Sequence, residues 1–294
     1  MVLSGQTLWV GVHGPRPTLP GRLLAVDASS GRVRTSFRLP IDPLRVVRAF
    51  GSLWLTGVGG GRRYAGVLRL DPRSGRVLRV IRGTRRLGTA LAATTHALWV
   101  GGADVFPQGH EERSGVYYVY KLDPIRNAVV RRIRLPRSTS IDLVGERTSL
   151  WVAGWYAVAK LAESGRVLFR QPLLGSAWSI TLARDGVWAA HTFDGSRRDR
   201  LPPPARELLR IREGTEPSLT RVPLDESPWQ VSATRGGTWV ALGEFSHEVQ
   251  RIPDTPLPVT PTRVAIQGIV HGIQATHDGA WVTQFAPNQL SKIC

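Results

Sequence analysis

Short apolar runs separated by turn residues recur along the whole chain. In the stretch 52–83, Ser52 to Gly57 is apolar around Trp54, Gly66 to Leu70 is a second run ending at Asp71, and Arg76 to Arg82 mixes β-branched residues with arginine. Runs this short, rich in Val, Leu and Trp and bounded by Gly, Pro and Asp, predict strands rather than helices. The link from Asp71 to Val77 has the chemistry of a tight turn. Its Asp accepts a backbone N–H two residues on, Pro72 presets φ, and Gly75 tolerates the left-handed region. The unit reads strand, loop, strand, turn, strand, and lacks only a fourth strand.

The unit repeats. Trp9, Trp54, Trp99, Trp151, Trp188, Trp239 and Trp281 sit in the matching settings TLWVG, SLWLT, ALWVG, SLWVA, GVWAA, GTWVA and GAWVT, between 37 and 52 residues apart. The tight turn is full in the first three copies (Asp27 to Gly31, Asp71 to Gly75, Asp123 to Asn127). It is shorter in the fourth (Glu163 to Gly165) and degenerate around Glu213-Gly214 and Pro253-Asp254. Short apolar runs ahead of each later tryptophan supply the fourth strand: Leu44 to Phe50, Thr89 to Thr94, Ile141 to Gly145, Trp178 to Ala183, Trp229 to Ala233 and His271 to Thr276. Four-stranded sheets repeated in this way bury their faces only by stacking on one another. The expectation is an all-β, seven-bladed β-propeller of four-stranded antiparallel blades in a single domain, 1–294. Its blades fall at 1–40, 41–83, 84–136, 137–175, 176–224, 225–267 and 268–294, with the two terminal blades incomplete, as in a fragment of a longer polypeptide or a ring closed without the usual strand exchange.

Units of the form LWV…V-x-x-L-D-P-x-S-G-R-V resemble the bacterial YVTN and PQQ-like propeller repeats and, more weakly, the repeats of virginiamycin B lyase-like proteins. The resemblance covers essentially the whole chain. It implies architecture, not activity, and an extracytoplasmic place; the opening MVLSGQTLWV shows no secretory signal pattern.

Antiparallel order gathers the longer links between second and third strands on one face: Val12 to Gly21, Val58 to Gly66, Gly102 to Gly115 and His191 to Arg206. Binding sites concentrate on such loop-rich faces over rigid scaffolds. His13, His110, His191, His247 and His271 fall on that face, and His96 and His277 on the other. They come from separate blades without close ligand spacing, so solvated loop histidines are the ordinary reading and a metal site the exceptional one. At the loop-rich ends of the first strands stand Arg45, Arg86, Ser140, Trp178, Trp229 and His271. Trp178 and Trp229 lie off the packing position, as ligand-stacking rings or as buried structural ones. The arginines suit a carboxylate or phosphate, or else pair with Asp42, Asp142 or Glu226.

Charge changes the picture of partners. The chain carries 39 basic against 22 acidic residues, a net charge of +17, and only Lys121, Lys160 and Lys292 are lysine. An anionic partner fits, a cell-surface polymer or acidic protein before nucleic acid. Many arginines, however, lie on the third strand of the unit as first defined (Arg32, Arg34 and Arg38; Arg76, Arg79 and Arg82; Arg131, Arg132 and Arg134), where an edge strand uses charge against aggregation. Cys294 is the single cysteine, so internal disulfides and zinc-finger sites are excluded. No apolar run reaches the roughly 20 residues of a membrane helix, and a monomer is expected.

The last unit, His271-Gly272-Ile273 followed by Asp278-Gly279-Ala280-Trp281-Val282-Thr283-Gln284, resembles the lyase pattern H-G-I…D-G-x-x-W-F-T-E. That resemblance implies a magnesium-assisted elimination with His271 as base. Gln284 stands where the family has glutamate, and a neutral amide gives magnesium no anionic ligand. The leading expectation is therefore a non-catalytic ligand- or protein-binding module without a cofactor, using Arg45, Arg86, Ser140, Trp178, Trp229, His191 and Gln284. The alternative is a lyase or hydrolase using His271 and Mg.

Overall fold

The computed structural model describes residues 1–14, 19–59, 63–81, 87–103, 117–135, 142–184, 186–193, 205–213, 217–234, 236–243, 246–253, 261–284 and 289–294. The first sheet holds β1 (Val2–Ser4), β2 (Thr7–Val12), β3 (Arg22–Asp27) and β4 (Val33–Arg38), in that order. The second holds β5 (Asp42–Ala49), β6 (Ser52–Gly59), β7 (Arg63–Leu70) and β8 (Val77–Ile81). The third holds β9 (Leu87–Ala93), β10 (Leu98–Ala103), β11 (Tyr117–Asp123) and β12 (Ala128–Leu135). A six-stranded sheet follows: β13 (Asp142–Glu146), β14 (Ser149–Ala162), β15 (Val167–Ala183), β16 (Gly186–Phe193), β17 (Ala205–Arg212) and β18 (Ser218–Pro223). The fifth holds β19 (Pro228–Thr234), β20 (Gly237–Leu242), β21 (Glu248–Ile252) and β22 (Thr262–Ala265), and the last β23 (Val270–Thr276), β24 (Gly279–Gln284) and β25 (Gln289–Ile293).

The expectation of seven blades is thereby corrected: the described residues form six sheets, hence six blades. The stretches assigned to separate blades, 137–175 and 176–224, share one sheet. The reason is the chain between Trp151 and Trp188, the shortest interval in the repeat. Where a loop is expected between an outer strand and the next inner one, β15 runs as one strand through 167–183, with Gly175 at φ +95°. The first sheet also departs from expectation, since Val2–Ser4 pairs with Thr7–Trp9 as a short fourth strand.

Within β14 the chain turns back on itself. Trp151 and Lys160 are nine residues apart, about 30 Å in an extended strand, yet the Lys160 ammonium stands 5.3 Å from the Trp151 ring centroid. The reversal falls midway, at Trp155-Tyr156, where Tyr156 takes φ +67°.

The described residues form two compact units, one of 1–152 with 159–170, the other of 153–158 with 171–294. In the first unit, core clusters form between successive sheets: Trp9, Leu23, Leu53 and Leu68 in one, Trp54, Val67, Leu98 and Tyr120 in the next, Trp99, Val119, Leu150 and Val152 in the third. The first three tight turns are each closed by an aspartate. Asp71 Oδ1 accepts the N–H groups of Arg73 (2.7 Å) and Ser74 (2.9 Å), and Gly75 takes φ +67°. These contacts with N–H groups hold the carboxyls of Asp71 and Asp123 below their ordinary range, and hydroxyl and N–H donors from Ser29 and Ser30 do the same for Asp27.

Turns also tie sheet to sheet. Arg69 lies 5.0 Å over Trp54 and reaches into the next turn, donating to the Pro124 carbonyl (3.1 Å) and Asn127 Oδ1 (3.0 Å). Lys121 lies 5.5 Å over Trp99 and donates to the Glu163 carbonyl at 3.1 Å. Gly145 allows β13 to approach β9 closely, for a Cβ there would stand 1.8 Å from the Ala93 carbonyl oxygen.

The second unit is tied differently. Its inner strands carry Ser, Thr and Gln that accept backbone N–H groups of the next inner strand. Ser179 and Thr181 accept from Val231 (3.4 Å) and Ala233 (3.3 Å), and Gln230 and Ser232 from Ile273 (3.2 Å) and Ala275 (2.9 Å). Trp188, Leu208, Val240 and Leu242 cluster between two of its sheets, and Trp239, Val249, Ile273 and Val282 between the next two.

All seven repeat tryptophans are buried. A basic residue lies against five of these indoles: Arg69, Lys121, Lys160, Arg210 and Arg251 lie 5.0–5.7 Å from the rings of Trp54, Trp99, Trp151, Trp188 and Trp239. Lys292 stands opposite Trp281 in the same register, its ammonium donating to Asp278, so all three lysines fall at one position of the repeat; at the other five indoles the aliphatic stem covers the ring and the cation meets its π face. Other arginines lie on the exposed outer strands β4, β8 and β12, each at the edge of its sheet.

Candidate functional site

The loop-side ends of the inner strands share an irregularity that the sequence does not reveal. The register between first and second strands skips one residue, so that Leu44 in β5, Trp178 in β15, Trp229 in β19 and His271 in β23 are the extra residues of a bulge. Such a bulge breaks the alternation of the strand and re-aims the extra side chain. Three of the residues expected to bear function, Trp178, Trp229 and His271, thus occupy one structural position.

Two of them meet. In the second unit Trp178 and Trp229 have ring centroids 5.6 Å apart, and Trp155, at the tip of the β14 hairpin, lies edge-on to Trp178 at 6.4 Å. Tyr156 packs edge-on to Trp155 at 6.2 Å and is half exposed. The Trp178 indole N–H donates to Thr192 Oγ1 at 2.7 Å, which fixes the ring. The ten tryptophans of the chain divide without remainder: seven mark the repeat, and the other three form this cluster. Trp155 was legible as the one indole assigned neither to the repeat nor to a site, while Tyr156 carries no sequence signal. Trp155, Trp178 and Trp229 are partly buried, a state in which an indole presents face or edge to a partner while remaining packed.

The other expected residues are dispersed. Arg45 stands 3.7 Å from Asp142, the pairing that competes with ligand binding. Arg86, Ser140 and His110 lie outside the described residues. His191 is corrected from loop to strand, because β16 continues to Phe193; it is buried, with Nδ1 2.9 Å from Glu207 Oε1 and Nε2 2.7 Å from the Leu174 carbonyl. His13 Nδ1 contacts Asp42 at 3.0 Å, His96 lies 3.6 Å from Glu163, and His247 and His277 are exposed.

His271 is exposed at its bulge, beside the position where Val270 pairs with Gln284. Gln284 is buried and donates from Nε2 to Ser291 Oγ at 2.6 Å. Asp278, of the same motif, is held down at about 2 by hydrogen bonds from Lys292 and Thr276. It points its charge at those partners. Among the described residues no three His, Cys, Asp or Glu side chains converge where a metal ion would sit.

No protein-family model matches the chain, and no curated protein sequence does. Solved structures do. The hydrazine synthase of Kuenenia stuttgartiensis superposes with a TM-score of 0.73 at 12% identity, covering 100% of this chain and 99% of that one. The Pan2 WD40 domain of Neurospora crassa gives 0.66 at 14% identity over 95% and 82%, and BamB from Moraxella catarrhalis 0.58 at 14% over 96% and 83%. At such identities the likeness is one of fold, and with the WD40 domain among these structures that fold is the β-propeller.

Proposed function

We propose that this chain is a non-catalytic binding module, a scaffold or sensory propeller, whose anchor is the Trp155, Trp178, Trp229 cluster of the second unit. The observation that carries the reading is the gathering of every non-repeat tryptophan at one place, two of them on strand bulges. Structural tryptophans in this chain are already provided for at the repeat position. Three further indoles, with a half-exposed tyrosine beside them, offer faces to a partner with flat apolar surfaces. The net charge of +17 favours an anionic partner, and a sulfated or carboxylated polysaccharide unites ring faces with negative charge.

A salt titration tests this reading. Heparin and single-stranded DNA are offered at rising ionic strength; the expected result is tighter binding of heparin, weakening as salt screens the charge. Binding indifferent to salt contradicts an anionic partner, and preference for DNA replaces the polysaccharide with nucleic acid.

A second reading, a lyase of the virginiamycin B lyase-like kind, has one observation in its favour: His271 is exposed on a bulge next to the strand end bearing Gln284. If it held, Mg would bind near His271 and Gln284, and a His271→Ala chain would lose turnover. The neutral amide of Gln284, with its Nε2 already committed to Ser291, supplies neither base nor anionic ligand. This is why the binding reading is preferred.

A further inference from the structure

A cavity of about 390 Å³ lies in the second unit, apart from the bulge residues, at the ends of β16 and β17. Its volume falls within the roughly 300–1,000 Å³ usual for small-molecule sites. Leu173, Leu174, Phe193 and Ala205 give it an apolar wall, and His191 and Arg221 are its two ionisable lining residues. The register explains the gathering. Phe193 pairs with Ala205 and His191 with Glu207, so alternate residues of two neighbouring strands share this face, and Arg221 comes to it from β18.

The polar side has a definite charge. A carbonyl oxygen only accepts, so the 2.7 Å contact to Leu174 places a hydrogen on His191 Nε2. A second proton must lie between Nδ1 and Glu207 Oε1 at 2.9 Å, since two lone pairs would otherwise face each other. Wherever that proton resides, the His191–Glu207 couple has no net charge. Arg221 also donates to Glu207 Oε1 through Nη1, and its positive charge is left uncompensated by the couple. Its side chain is 51% exposed, whereas that of His191 is 3% exposed. The imidazole is a buried prop that orients Glu207, and Glu207 in turn orients the guanidinium.

We propose that this cavity binds a small organic carboxylate, its apolar body against Leu173, Leu174 and Phe193 and its carboxylate on the Arg221 guanidinium. Nε and Nη2 remain to meet the two carboxylate oxygens in the forked geometry that arginine favours. The site stands on residues other than the tryptophan cluster, so it goes beyond the binding reading above and does not depend on it.

Calorimetric titration with phenylacetate, and with phenylacetamide as the neutral isostere, tests the proposal. Saturable binding of phenylacetate in the millimolar range or tighter is expected, with phenylacetamide weaker by about tenfold or more, the worth of a charge-assisted hydrogen bond. Arg221→Met, which leaves the His191–Glu207 couple in place at a half-exposed position, weakens phenylacetate by a similar factor without moving the thermal midpoint. Ala205→Phe fills the cavity and abolishes binding. Trp178→Ala leaves it unchanged. The proposal is overturned by absence of phenylacetate binding at millimolar concentration, by equal binding of acid and amide, by an Arg221→Met or Ala205→Phe chain that binds as the wild type does, or by loss in Trp178→Ala, which would move the site to the indole cluster.

Discussion

The two compact units solve the same problem, holding sheet against sheet, with different chemistry. In the first, the tight turns do it: a cation lying on a buried tryptophan extends into the following turn, as Arg69 does to Asn127 and Lys121 to Glu163. In the second, the turns around Glu213 and Pro253 have lost their aspartate-glycine pattern, and hydroxyl and amide side chains on the inner strands take over. The regular unit carries the depressed turn carboxylates of Asp27, Asp71 and Asp123. The irregular one carries the indole cluster and the cavity. Departure from the repeat and candidate function thus coincide, as expected where local rules yield to a site.

Five substitutions and one condition break or sharpen this contrast. The largest effect comes from Trp99→Ala, which empties a fully buried site in the first unit and costs about 3–5 kcal/mol. Trp178→Ala, at a partly buried position, is expected to cost less than half of that in urea unfolding. Equal costs would mean that Trp178 is as structural as the repeat indoles.

Acid acts unevenly. The carboxyls of Asp71 and Asp123 are lowered by donated N–H groups, and that of Glu163 is lowered despite partial burial, by Thr94 and Lys121. A depressed folded value means stabilisation that is fully present above the ordinary carboxylate range and lost as pH falls through the folded value. In the second unit Asp278, at about 2, shows the same behaviour. Hydrogen exchange from pH 5 downward, in steps to about pH 2, should therefore show protection failing first at the turns of the first unit. Uniform loss over both units would contradict the difference.

Ser232→Ala removes the acceptor for the buried Ala275 N–H and is expected to cost about 1–3 kcal/mol, with faster exchange at Ala275. An unchanged midpoint would show that the inner-strand ladder is ornamental. Lys121→Met, which keeps the stem over Trp99 and deletes the cation, is smaller still at about 1 kcal/mol. Lys121→Arg should be near neutral, since Arg69 occupies the equivalent place.

Much of the fold was legible in sequence because the repeat is a packing repeat: each LWV-like run buries its indole, and each Asp-x-x-x-Gly turn closes through its own carboxylate. The number of blades was not. It depends on whether the chain breaks between an outer strand and the next inner one, and at 171–176 Pro172 and Gly175 read as loop signals although the strand runs through them. The 37-residue interval between Trp151 and Trp188 carried the hint. Within the site, Trp178 and Trp229 could be picked out because they fall off the repeat. The bulges that present them could not, for a bulge is a property of cross-strand register, written in two strands at once. His191 was misplaced because β16 outlasts its apolar run Val187 to Ala190 by three residues, His191, Thr192 and Phe193.

The central claim is that the second unit binds through its tryptophan cluster while the repeat tryptophans only pack. Fluorescence titration of the chain with heparin, wild type against the Trp178→Ala/Trp229→Ala double variant, tests it most directly. The account predicts saturable quenching in the wild type and at least about tenfold weaker binding in the folded double variant. A double variant that is folded and binds heparin as tightly as the wild type would contradict it.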